Sequence, residues 1–490
     1  MASLKSQASK GVIWTAAERF GQQLIQAVVF VILARLLTPE DFGLIAMLMI
    51  FFAVAQSFID SGMGQALIRL KEITDEDRST VFWFNLLISL LFYGILYAIA
   101  PAIARFYDQP ALVDLTRVMG LAVIFFGIAI VQRSEMTQQM EFKKQAFAQI
   151  PAVLVAGVTS VTLAFLDYGV WALVSQYLLL ALVSSIILWI QQPATIHFAF
   201  YRDSFNHLFG FGYKLFLSGL LNTVYSHIYK LVIGKFFPAA TLGFYTQAVN
   251  VKKMVSNNFI TVIQKVSYPL LSKTADDSKR MKRGYRQVIQ TSTFIIFPGM
   301  VLLFIFAEPL MVYVLGPQWH PAAAFLKIIC VHGVWYHLHA INLNVLKVVG
   351  RSDLFLKLEI IKKTNITIAI IFGIQFGIWG LLIGQVISSY IALFINSYYT
   401  ARFIDYAISE QIKDVLQVSM LSVPMILIVS ILQYVFPVTS LWELALFLIG
   451  SGLIYLFSNI MFRNETASLV FELIGSNLPV KLKSYLYSKH

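Results

Sequence analysis

The sequence predicts an all-α integral membrane protein of about 14 transmembrane helices, and three observations carry that expectation. Hydrophobic residues make up 58% of the 490 positions, charged residues only 13%, and the mean hydropathy is +0.74. Soluble domains carry about 25% charged residues; a globule with half that share could not cover itself with polar surface. Apolar stretches of about 20 residues, the length that crosses a hydrocarbon core, recur along the chain. Lysine and arginine gather in alternate connections.

In order, the apolar stretches lie near residues 12–36, 42–68, 80–104, 112–134, 145–166, 170–191, 212–236, 243–271, 286–314, 322–347, 356–376, 378–401, 413–436 and 440–462. The eleventh and twelfth are divided only by the glycine-rich turn Phe376-Gly377-Ile378-Trp379-Gly380. With both termini inside, about 24 basic residues fall on the cytoplasmic side, including Arg69, Lys71, Arg78 and the run Lys273 to Arg286, against 3 outside, Arg35, Arg105 and Lys235. That asymmetry is the positive-inside pattern of a bacterial cytoplasmic membrane protein, and it accounts for most of the +12 net charge without a nucleic-acid partner. Residues 1–10 are polar and no small-residue cleavage site follows, so no signal peptide is expected to be removed.

All connections are short, so function has to reside within the helices. The one cysteine, Cys330, has no internal disulfide partner, and no Cys/His spacing for a metal occurs. No phosphate-binding loop, paired carboxylates or nucleophile elbow is present. Neither enzymatic activity nor a cofactor is expected.

The end of the first span reads Ala34-Arg35-Leu36-Leu37-Thr38-Pro39-Glu40-Asp41-Phe42-Gly43, and the end of the seventh Gly234-Lys235-Phe236-Phe237-Pro238-Ala239-Ala240-Thr241-Leu242-Gly243, in register at an offset of 200 residues. Six spans per repeat, an even number, give both halves the same orientation, the arrangement of a parallel repeat about the membrane normal. The expected organisation is an N-terminal six-helix lobe (1–192), a cytoplasmic linker (193–211), a pseudo-symmetric C-terminal six-helix lobe (212–402), a C-terminal helix pair (403–462) and a cytoplasmic tail (463–490).

Polar groups at bilayer depth persist only where they face water or a partner. The first span carries Glu18 and Arg19, with Arg19, Gln23 and Gln26 on one face. On the seventh, Asn222, Ser226 and Lys230 follow at steps of four beside Tyr225 and Tyr229; on the eighth, Gln247, Asn250, Lys253, Asn257, Thr261 and Gln264 form a longer row, flanked by Lys252 and Lys265. Cations outnumber the nearby acids Glu18 and Asp60, so a cavity lined by these faces would be positive and suited to an anion. His332 and His339 share a face of the tenth span; they read as packing or cavity residues in the absence of a third ligand. Glu359 and Lys363 are spaced as an ion pair.

The opening Leu33-Ala34-Arg35-Leu36-Leu37-Thr38-Pro39-Glu40-Asp41-Phe42-Gly43 resembles the start of the polysaccharide transporter family of the multidrug/oligosaccharidyl-lipid/polysaccharide flippase superfamily. Gln65-Ala66-Leu67-Ile68-Arg69, Met140-Glu141-Phe142-Lys143, Ser267-Tyr268-Pro269-Leu270-Leu271-Ser272, Leu315-Gly316-Pro317-Gln318-Trp319 and Val349-Gly350-Arg351-Ser352-Asp353 follow in the same order as in that family, in its Wzx-type branch of colanic and teichuronic acid exporters. The resemblance implies that superfamily's fold, two six-helix lobes forming a V with a peripheral last pair, which in the related lipid II flippase borders a groove for the lipid tail. It implies an undecaprenyl-diphosphate-linked oligosaccharide as cargo, flipped from the cytoplasmic to the outer leaflet, with membrane lipids, a polysaccharide polymerase and glycosyltransferases as candidate partners. The substrate-binding candidates are then Arg19, Lys230 and Lys253 for the diphosphate and Asn222, Ser226, Tyr225, Tyr229, Asn250, Asn257 and Gln23 for sugar; Glu18, Asp60, His332 and His339 are candidates for coupling to a proton, sodium or the membrane potential. A multidrug exporter, an oligosaccharide polymerase and an energy-independent scramblase are the alternatives.

Overall fold

A computed structural model describes residues 21–60, 62–272, 277–349 and 351–461, and every regular element among them is helical. Helix α1 is described over Gly21–Leu36. It is followed by α2 (Pro39–Asp60), α3 (Met63–Arg69), α4 (Asp75–Tyr107), α5 (Leu112–Ile128), α6 (Ile130–Gln138), α7 (Phe142–Phe165), α8 (Val170–Gln191), α9 (Arg202–Phe236) and α10 (Ala239–Ser272). Then come α11 (Ser278–Ile305), the single turn α12 (Ala307–Pro309), α13 (His320–Gly333), α14 (Tyr336–Val348), α15 (Ser352–Gly373), α16 (Gly377–Ile404), α17 (Ile408–Met420), α18 (Val423–Val435) and α19 (Leu441–Met461). Arg19, Glu18 and the tail lie outside the described residues. By its contacts the chain divides into two compact units, Met1–Thr246 and Gln247–His490.

Seven helices among the described residues are long and apolar enough to cross a membrane, or nine if each of two bent pairs counts as one span. The chain is therefore a multi-pass membrane protein. Helices α9 and α10, at 35 and 34 residues, have the length but fall short in apolarity. Their polar rows are the reason, and these are the rows that mark a wet face in the sequence.

Several expected single spans are bent. The fourth becomes α5 and α6, turned by 41° at Ala129, and the thirteenth becomes α17 and α18, turned by 46°. Pro424, in the first turn of α18, explains the second bend: it has no N–H to give, and its ring collides with the carbonyl four residues earlier. The tenth is split into α13 and α14 at Val334 and Trp335. Helix α13 ends at Gly333, which lies against the Lys252 side chain: a Cβ there would stand 2.7 Å from Lys252 Cε. The eleventh and twelfth spans form an antiparallel hairpin whose register reads off three pairs. Asn365 donates to the Ser388 carbonyl at 2.8 Å; Gly384 and Gly380 bring their backbones against the carbonyls of Ala369 and Gly373. Gly377, at φ +69°, takes the left-handed turn between them.

The Thr38-Pro39-Glu40-Asp41 segment starts α2 by reciprocal capping: Thr38 N–H donates to the Asp41 carboxylate at 2.9 Å, and Asp41 N–H donates to Thr38 Oγ1 at 3.3 Å. Thr74 and Asp77 repeat the device at α4. Arg351 grips Asp353 through both carboxylate oxygens, at 2.8 and 2.7 Å, holding this exposed carboxyl down to about 2 at the start of α15.

Within the first unit the two repeat-related corners lie against each other. A Cβ on Gly43 would fall 1.9 Å from the Ala239 carbonyl oxygen, and a Cβ on Gly243 would fall 1.9 Å from that of Pro39. Each of these glycines thus faces the other corner's first helical residue. Helix α9 joins the same unit through the Ser57–Thr223 hydroxyl pair at 3.0 Å and through Lys235 Nζ, which donates to the Phe106 carbonyl at 2.6 Å. In the second unit, Asp414, 3% exposed, receives Arg286 at 2.5 Å and the Tyr406 hydroxyl, fastening α17 to α11.

Gly43→Ala and Gly243→Ala should each lower the unfolding temperature by several degrees, whereas alanine at Gly21 or Gly450, which have nothing within 4 Å, should leave it unchanged. Thermal scans read by fluorescence-detected gel filtration would decide this; equal effects at all four positions would refute the close approach. Asp414→Leu should cost about 2 kcal/mol, less than a wholly buried pair because Arg286 is half exposed.

Candidate functional site

On α9, in the first unit, Asn222 and Ser226 are exposed and Lys230 is half-buried, so the row of successive fourth residues is one face, as the helical period requires. Ser226 Oγ turns back to the Thr223 carbonyl at 2.7 Å. Tyr225 is half-buried; Tyr229 is 8% exposed, and its hydroxyl has no hydrogen-bond partner among the described residues. Gln23 on α1 is half-buried. At the end of α2, Asp60 is exposed and accepts from Gln56 Nε2 at 3.1 Å.

In the second unit, α10 continues the polar row with Gln247, fully buried, which accepts a hydrogen bond from Asn250 Nδ2 at 3.1 Å. Lys253 is exposed while Lys252 is 7% exposed, so the two neighbours, about 100° apart on the helix, meet opposite environments. The side chain of Asn257 lies outside the described residues. Lys252 runs along Gly333 and sets its ammonium 4.8 Å above the ring of Tyr336. No carboxylate pairs with it among the described residues. In the sequence Lys252 looked like a flanking group; the signal that could have raised it is Gly333, a gap in an otherwise filled helix.

His332 and His339, expected on one face of one helix, stand on α13 and α14 either side of the break, both half-buried. His339 is held at both ring nitrogens, by Ser389 Oγ at 3.2 Å and Asn396 Nδ2 at 3.1 Å. His337, fully enclosed, pairs with Thr293 at 2.9 Å. Below them Asn342 accepts from the Tyr285 hydroxyl and donates to Ser397 at 3.3 Å. The Glu359–Lys363 pair is present at 3.7 Å, but Lys362 sits closer on the same carboxylate. Among the described residues, two lysines on one acid, with Lys252 unopposed, leave this unit's polar interior positive. Such an interior can hold an anion, and its described residues include no acid cluster for an organic cation.

Three comparisons bear on the chain. The family model for "Polysaccharide biosynthesis protein" matches residues 32–324. The teichuronic acid biosynthesis protein TuaB of Bacillus subtilis is 26% identical over 72% of this chain and 74% of its own length. The lipopolysaccharide biosynthesis protein WzxC of Escherichia coli is 23% identical over 80% of this chain and 81% of its own, and the succinoglycan biosynthesis transport protein ExoT of Rhizobium meliloti 24% over 74% of each. Among solved structures, lipid II flippase MurJ in an inward closed conformation aligns at TM-score 0.74 and 16% identity, covering 92% of this chain and 98% of that one. An inward-facing multidrug resistance transporter of the MOP superfamily aligns at 0.63 and 14%, covering 78% and 94%. Both are likenesses of fold. The resemblance read from the ordered motifs agrees with these findings; ExoT's title names transport, and the two structural neighbours are titled a flippase and a transporter.

Asn342→Leu should destabilise the protein by about 1–3 kcal/mol, because the fully buried Tyr285 hydroxyl loses its acceptor. Adding Tyr285→Phe should return part of that loss; a purely additive double variant in a thermal cycle would refute the coupling.

Proposed function

This chain belongs to the polysaccharide biosynthesis protein family, and from that membership we propose that it is a flippase for an undecaprenyl-diphosphate-linked oligosaccharide, a cell-surface polysaccharide precursor. It moves this cargo from the cytoplasmic to the outer leaflet of the bacterial inner membrane by alternating access, with both termini cytoplasmic and with two six-helix lobes and a last pair making up 14 spans. The observation that carries the reading is the pair α9 and α10, which have the length of spans but bear Lys230, Lys252, Lys253 and rows of amides and hydroxyls. Residues of that kind at bilayer depth are stable beside a wet chamber, and their excess of cations suits a diphosphate.

In this mechanism Arg19, Lys230 and Lys253 hold the diphosphate, and Lys252 adds positive potential behind Lys253. Asn222, Ser226, Tyr225, Tyr229, Asn250, Asn257 and Gln23 meet the sugars, whose hydroxyls both give and accept hydrogen bonds. The polyprenyl tail stays in lipid. Glu18, Asp60, His332 and His339 are the groups through which an ion gradient would act. Names of relatives support the cargo class: teichuronic acid, lipopolysaccharide and succinoglycan are surface polysaccharides. A cationic drug as substrate is disfavoured by the lack of an unpaired buried acid in the described part of the second unit.

Deleting the gene should make lipid-linked repeat units accumulate on the cytoplasmic face. Glutamate at Arg19, Lys230 and Lys253 together should reproduce that block while the protein still reaches the membrane in folded form; normal export by the triple variant would remove the cationic-site assignment.

A further inference from the structure

We propose that the first unit holds its own binding site for a neutral sugar ring, in a cleft bordered by α1, α2, α5, α7 and α8. The proposal rests on the flippase reading and adds a place where the cargo's glycan is recognised. The cleft has a volume of about 250 Å³, and among the described residues no charged side chain lines it. Two amides project into it, Gln26 from α1 and Gln176 from α8, and neither has a hydrogen-bond partner among the described residues. The floor is apolar, with Met119 and Leu173 buried, and two aromatic rings stand in the wall, Phe42 and Tyr177.

Each part of this arrangement selects against other ligands. An acyl chain would leave two primary amides in apolar surroundings without partners, which disfavours it. Among the described residues an organic cation would find no carboxylate, and a phosphate no cation. A pyranose answers every part: its hydroxyls give and accept as a carboxamide does, and its C–H face rests on an aromatic ring. Each amide offers one acceptor and two donors, enough to bridge neighbouring hydroxyls. The Tyr177 ring is fixed for this by edge and tilted contacts with Phe126 and Phe52 at 5.8 and 5.9 Å, so little is lost in ordering it on binding.

The test uses the full chain in lipid nanodiscs, with methyl β-D-glucopyranoside, methyl β-D-galactopyranoside and glucuronate as probes in saturation-transfer NMR. At least one neutral glycoside should show transfer. Gln26→Leu with Gln176→Leu should reduce that transfer at least tenfold, as should the milder asparagine pair should the leucine variant not fold. Lys71→Ala, in an exposed connection away from the cleft, should not change it. Absence of transfer from both neutral glycosides, stronger transfer from glucuronate, or undiminished transfer in folded leucine or asparagine variants would overturn the proposal. Binding of undecaprenyl diphosphate, measured in parallel by native mass spectrometry, reads the flippase assignment separately. If the lipid binds and the glycosides do not, this site alone is refuted; if the glycosides bind and the lipid does not, the cargo assignment is.

Discussion

A hydrocarbon solvent gives nothing back to a polar group, and the architecture follows from how each such group is met. Backbone amides are met inside helices. Side chains are met by neighbouring helices: Asn365 by Ser388, Tyr285 by Asn342, His339 by Ser389 and Asn396. Where the helices must come close enough to make these bonds, small residues clear the way. Glycine at 373, 380 and 384 sets the α15–α16 hairpin, and glycine at 43 and 243 lets two corners meet carbonyl to Cα. On α9 and α10 the row of Asn222, Ser226, Lys230 and Lys253 stays exposed or half-buried.

The polar interior of the second unit separates two kinds of positive charge. Lys362 and Lys363 share Glu359 and are held in a structural pair. Lys252, 7% exposed, has a ring and a glycine for neighbours instead, with no carboxylate on it among the described residues. His337 and His339 are fixed by hydrogen bonds at 2.9 to 3.2 Å, which makes them parts of the frame. The Arg286–Asp414–Tyr406 node does comparable work at α17, fastening the bent thirteenth span to α11.

Much of this was legible in the residue order. Composition dictates the membrane and the helices, because no other backbone arrangement with this hydropathy satisfies itself there. The offset of 200 residues between Pro39–Gly43 and Ala239–Gly243 was visible as a repeat, and the turn at Gly377 as a hairpin. The rows on α9 and α10 follow from the helical period alone, which places residues four apart on one face whatever surrounds them. Arg35 and Lys235 marked the ends of their helices for the same reason, charge being cheap at an interface and costly within.

Other features depended on three-dimensional packing. That the two repeat corners touch through their glycines, that Lys252 rather than Lys253 is enclosed, and that Gln26 and Gln176 share one cleft all depend on distances between residues far apart in the chain. Periodicity assigns a face to a side chain but not the neighbour that face meets. The sequence by itself determined the solvent, the elements and the family; the tertiary structure decided which polar groups are spent on each other and which remain open. The reason is that local geometry repeats every few residues, whereas the partner that cancels or spares a charge arrives from another helix.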